Sequence, residues 1–119
     1  MTFLFTTEGE DPKAPLDGRF GRAANFLVYS QDLNTWKLVG NRENVDAGHG
    51  AGISAAQKAV SLGAHVVVSG HFGPKAFAVL EQAGVQMFST GDCTVEEALA
   101  RYRKGQLKAV TTAGEPRGH

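Results

Sequence analysis

One cysteine, Cys93, occurs in 119 residues. That excludes an internal disulfide, and it excludes any cluster held by four thiolates of this chain alone. Nor is there a surplus of either charge, because twelve basic and twelve acidic residues cancel. Bulk attraction to nucleic acid or to an anionic membrane is thereby removed, so any anion site must be a local arrangement. The N-terminal apolar run, Phe3-Leu4-Phe5, gives way at once to polar sequence, too short for a secretory signal or a membrane span. No G-x-x-x-x-G-K-[ST] stretch is present, which removes a P-loop. The first strand carries no carboxylate, no acid pair is placed to hold two metals, and Ser54 and Ser69 lack a histidine–acid partnership. These absences describe a soluble, cytoplasmic binding protein rather than an enzyme.

What is present is ordinary globular composition, 42% apolar and 20% charged. It predicts one α/β domain over residues 1–110, followed by a flexible polar tail at 111–119. Strands are expected at 2–7, 24–30, 36–39, 64–68 and 85–88, with Asp32-Leu33-Asn34 turning the second into the third. Ile53, Ala56 and Val60 recur at helical spacing and end at Gly63. Pro74 opens a second helix that Gly84 closes. Thr94-Val95-Glu96-Glu97 is a capping box for a third, ended by Gly105.

Strand direction then locates a site. With strand two antiparallel to strands one and three, and helices returning the chain to strands four and five, the loops 8–22, 40–50, 69–73 and 89–93 leave at one edge. That carboxyl edge is where open α/β sheets bind ligands. Two glycine-rich turns fall there, Gly48-His49-Gly50-Ala51-Gly52 and Ser69-Gly70-His71-Phe72-Gly73-Pro74-Lys75, each before a helix whose first N–H groups are free for an anion. Arg19, Arg22 and Lys75 make the same edge locally cationic.

Several residues keep two readings. His49 and His71 are metal ligands, proton carriers or turn residues, in no zinc spacing. Cys93 precedes the Thr94 cap, where a helix dipole lowers a thiol's pKa, or it is a small half-buried residue. Phe20 and Phe72 wall a pocket or fill the core. Gly50-Ala51-Gly52-Ile53-Ser54-Ala55 matches a dinucleotide fingerprint, but it follows a polar loop and has no acid near position 70. Nothing in 8–19 offers the long loop a core, so it is expected to be mobile until a ligand orders it.

Phe20-Gly21-Arg22-Ala23 with Phe26, the Gly48–Gly52 turn, Gly70 to Ala76, and Thr94 to Ala98 with Gly105 and Leu107 together resemble the dinitrogenase iron–molybdenum cofactor biosynthesis family, over almost the whole chain. The resemblance implies a ribonuclease-H-like three-layer α/β/α fold with a five-stranded mixed sheet, order 3-2-1-4-5. It also implies binding, storage or carriage of an anionic metal–sulfide cluster without catalysis. The cofactor would contain molybdenum with iron, or with copper as in orange-protein-type members. Its partners would be cluster-donor or acceptor proteins, and the chain a monomer or weak homodimer that binds neither nucleic acid nor membrane. The cluster-binding residues would be Arg19, Phe20, Arg22, His49, Gly50, Gly52, Gly70, His71, Phe72, Gly73 and Lys75, with His71 and Cys93 able to ligate a metal. Members often carry histidine where this chain has Arg19, which favours charge over ligation. The alternative is a small regulatory module that senses an anion or nucleotide and signals to a protein partner.

Overall fold

The β-branched and aromatic stretches form β1 (Thr2–Thr7), β2 (Asn25–Ser30), β3 (Thr35–Gly40), β4 (Val66–Ser69) and β5 (Gln86–Ser89) in a computed structural model that describes residues 1–42 and 50–111. A sixth strand, β6 (Lys108–Ala109), follows the last helix, and the sheet order is β3-β2-β1-β4-β5-β6. The expected order is therefore right for its first five members, but the count of five is corrected to six. β6 is only two residues long and exposed, too short to carry a period-2 signal. Of the tail expected at 111–119, only Thr111 lies within the described residues.

β1 is the central strand, antiparallel to β2 and parallel to β4. β3 is antiparallel to β2, and β5 is parallel to β4. Hence β1, β3, β4 and β5 run one way, while β2 and β6 run the other. Side-chain alternation divides the core between the two faces. On one face Leu4, Phe26, Val67 and Met87 pack against α1 (Ala51–Ser61) and α2 (Pro74–Gln82). On the other, Phe3, Phe5, Leu27, Val66 and Val68 pack against Val95, Ala98 and Leu99 of α3 (Val95–Arg103).

The punctuation acts as its chemistry requires. Gly63, Gly84 and Gly105 adopt φ of +78°, +77° and +70° just beyond the three helices, a region that costs a side chain but not glycine. Asn34, at φ 53°, closes the β2–β3 hairpin. Pro74 begins α2. The Thr94 hydroxyl accepts the Glu97 N–H at 3.2 Å, and the Glu97 carboxylate accepts the Thr94 N–H at 2.7 Å.

The long loop is not left loose. Val95 N–H donates to Ala14 at 2.9 Å, Glu96 N–H to Pro12 at 2.8 Å, and Leu16 N–H to the Cys93 carbonyl at 2.8 Å. Further along, Asp17 N–H donates to Thr6, Gly70 N–H to the Asp17 carbonyl, and Phe20 N–H to the His71 carbonyl. Leu16 also packs on the α3-side core. The expected mobility assumed that the loop had no core to join; it borrows one from β1, β4 and α3.

Candidate site at the carboxyl edge of the sheet

The site begins with two pairs of glycines. A Cβ at Gly70 would stand 2.6 Å from the Gly18 Cα, so only glycine lets the turn after β4 pass against the long loop. A Cβ at Gly21 would lie 3.0 Å from the Gly52 Cα, which brings the 3-10 turn Phe20–Arg22 onto the first turn of α1. These two approaches bring residues 19–22, the start of α1 and the start of α2 around one cleft. It encloses about 420 Å³ and is lined by Arg19, Phe20, Gly21, Arg22, Ala51, Gly52, His71, Gly73, Pro74, Lys75 and Ala76.

Charge and backbone agree on what suits it. Arg19, Arg22 and Lys75 line the cleft, and none of the described lining residues is acidic. The first turns of α1 and α2 both reach it, and neither helix has a side-chain cap or an acidic residue there. α3 is the contrast. Its first-turn N–H groups are taken by Thr94, Pro12 and Ala14, and Glu96 and Glu97 offset its dipole. Among the described residues, two helix ends are thus open where the cations gather, and the third is closed. The floor is small and apolar, from Gly52, Gly73, Pro74, Ala51 and Ala76. A polarisable anion matches such a surface better than a strongly hydrated one.

A model of the dinitrogenase iron–molybdenum cofactor family matches residues 1–105. The chain belongs to that family. Among solved structures it is similar to the apo form of the orange protein from Desulfovibrio gigas, at 34% identity and TM-score 0.91 over 97% of this chain and 96% of that one. It is also similar to a protein from Thermotoga described as NifB-type, at 26% identity and TM-score 0.82 over 99% and 98% of the two chains. An uncharacterised protein of Methanocaldococcus jannaschii is 22% identical over 96 residues, 78% of this chain and 80% of that relative.

Within this iron–molybdenum cofactor family member, the expected site residues divide by position. Arg19, Phe20, Arg22, Gly52, His71, Gly73 and Lys75 line the cleft. Gly70 supports it from behind by its approach to Gly18, and Gly50 is the N-cap of α1. Phe72 is core: it is 1% exposed and stacks on Phe20 with ring centroids 5.3 Å apart. Phe20 holds both roles, buried to 1% exposure yet contributing to the cleft wall. His49 lies outside the described residues. Gly21, Ala51, Pro74 and Ala76 are lining residues beyond the expected set, although the Phe20–Ala23 and Gly70–Ala76 motifs already contained most of them.

Cys93 is not brought to the cleft. It packs with the core on the α3 face, whereas the cleft opens on the α1–α2 face. Burial pushes its thiol pKa up, with Arg101 opposing and the Glu97 and Asp92 charges adding to the rise. The direction is opposite to the lowering expected at a helix entrance, with desolvation the leading cause and the acids at positions 97 and 92 adding to it. Among the described residues no group of three or more His, Cys, Asp or Glu is placed to hold a metal ion, so His71 has no such set around it.

One acidic pair stands behind the rim. The Asp17 carboxylate beside Glu8 raises the Glu8 pKa, with desolvation adding to the rise and the Ala24 backbone and the Arg19 charge opposing it. Asp17 is 7% exposed. Nothing in the sequence distinguished it from the other loop acids except its place in Asp17-Gly18-Arg19, where an aspartate can accept a backbone N–H two residues on.

Among the described residues no helix is long and apolar enough to cross a membrane.

Proposed function

We propose that this protein binds and carries an anionic metal–sulfide cluster in the carboxyl-edge cleft, molybdenum with copper or iron, and does no chemistry on it. The observation that carries this reading is the pairing of three cations with two uncapped helix ends around a small apolar floor. Such a surface neutralises a preassembled, sulfide-bridged anion through arginine, lysine and backbone N–H groups without supplying thiolates. Family membership and the likeness to the orange protein favour a metal cluster over a plain oxyanion. Among the described lining residues, His71 is the one side chain able to coordinate a metal directly.

The test is anaerobic purification with elemental analysis, followed by titration of the apo protein with tetrathiomolybdate, alone and with copper(I). A coloured protein with stoichiometric molybdenum, or saturable uptake of the thiometallate, is the expected result. A colourless protein that takes up neither, yet gains thermal stability with a nucleotide, would replace the carrier by a sensor of small anions.

Cys93→Ser should leave most of that binding intact. The thiol sits on the other face of the sheet, and its raised pKa disfavours thiolate. Complete loss of colour and metal, with an unchanged circular dichroism spectrum, would show that ligation by sulfur dominates.

A further inference from the structure

We infer that Asp17 is a positioning residue, holding the Arg19 guanidinium at the rim of the cleft so that an incoming anion meets a cation already in place. The inference takes its ligand from the proposed function, but its geometry stands independently. Asp17 is fixed through its backbone to two adjacent strands. Its N–H donates to the Thr6 carbonyl at 2.8 Å, and its carbonyl accepts the Thr6 hydroxyl at 3.0 Å, the Ser69 hydroxyl at 3.3 Å and the Gly70 N–H at 3.2 Å. The Thr6 and Ser69 hydroxyls stand 2.9 Å apart, so their two protons are shared among that contact and the Asp17 carbonyl. From this anchor the carboxylate reaches forward. Its Oδ1 accepts the Arg19 N–H at 2.7 Å and lies 3.9 Å from Arg19 Nε.

The contrast in exposure states the problem that Asp17 solves. The Arg19 side chain is 69% exposed and the Asp17 side chain 5%. An unrestrained surface arginine samples many rotamers, and binding must then bear the cost of selecting one. A buried carboxylate on a rigid anchor removes part of that cost beforehand. It also brings a negative charge to a site meant for anions, and this opposes binding. The two effects have opposite signs, so substitution decides between them.

Two measurements test this. In the apo protein, the Arg19 Nε–Hε heteronuclear NOE should fall in Asp17→Ala and, less steeply, in Asp17→Asn, which keeps the acceptor for the Arg19 N–H. An unchanged value in both overturns the inference. With tetrathiomolybdate as the probe, Asp17→Ala should weaken binding about three- to tenfold, and by less than about twofold in an Arg19→Ala background, as a double-mutant cycle requires of a residue acting through another. Tighter binding in Asp17→Ala, or equal weakening with and without Arg19, overturns it. Asp17→Asn carries the same cycle should the alanine variant fail to fold. If the wild-type protein binds no thiometallate, the carrier reading falls, and the Nε–Hε measurement alone decides the role of Asp17.

Discussion

Replacing Phe72 with alanine is expected to lower the unfolding free energy by about 3–5 kcal/mol, the usual cost of truncating a fully buried aromatic. Phe72 is 1% exposed and belongs to the core between the sheet and the α1–α2 layer. Its ring stacks on Phe20 at 5.3 Å and 28°, and Phe20 stacks on Phe26 at 5.8 Å and 16°. The three rings form a column from β2, through the 3-10 turn, to the turn after β4. Truncation at Phe72 leaves a void at one end of that column and takes away the packing that supports Phe20. Since Phe20 is part of the cleft wall, the same change should broaden the amide resonances of residues 19–22. Urea denaturation of the apo protein measures the first effect and heteronuclear NMR the second. A loss of less than about 1 kcal/mol would mean that the surrounding chain collapses into the void, and that the column does not brace the site. Against a total stability of about 5–15 kcal/mol for an ordinary domain, the expected loss is large enough that the assay belongs at low temperature.

That column explains a division in what could be read from the sequence. Phe20 and Phe72 sit among glycines and charges, so linear context leaves open whether they wall a pocket or fill the core. Burial depends on what the folded chain lays over them, and no local pattern encodes it. The glycines show the same limit in another form. Glycine-rich turns at helix entrances suggest close approach by a ligand, and Gly73, where an added Cβ would meet only open space, fits that reading. Gly70 and Gly21 admit other backbone instead, Gly18 and Gly52 respectively. The residue type is legible; the partner that requires it is not.

The strand directions were legible because they follow from connection rules and not from side-chain detail. Once β2 is the antiparallel partner of β1 and helices bring the chain back to β4 and β5, the carboxyl edge is settled, and the cleft forms there. β6 escaped notice because two exposed residues, paired to β5 at Phe88↔Ala109 and Ser89↔Lys108, bear no pattern at all. Cys93 shows a competition between effects that spacing cannot resolve. Its place before a helix favours thiolate and its burial disfavours it; the thiol pKa is raised, with burial the leading cause. Asp17 was hidden by abundance. Glu8, Glu10, Asp11 and Asp17 look alike in a polar loop, and only the fold removes one of them from water.

Removing Arg19 and Arg22 together should weaken thiometallate binding by at least about tenfold. Each charge-assisted hydrogen bond in a partly desolvated cleft contributes roughly 1.5–3 kcal/mol, and a factor of ten needs only about 1.4. Arg19→Ala with Arg22→Ala leaves Lys75 and the open ends of α1 and α2, so some affinity should remain, and it should fall less steeply with added salt than in the wild type. Folding should hardly change, because both side chains are exposed and surface charges contribute little to stability. Asp17 loses the guanidinium at 3.9 Å but keeps the backbone N–H of residue 19 at 2.7 Å, so the buried carboxylate still has a donor. Isothermal titration of the apo protein with tetrathiomolybdate at two salt concentrations measures the affinity, and a thermal melt measures the fold. If affinity holds within about twofold while the melt is unchanged, the guanidinium groups are not what holds the anion. The helix ends and His71 would then have to account for binding at this edge.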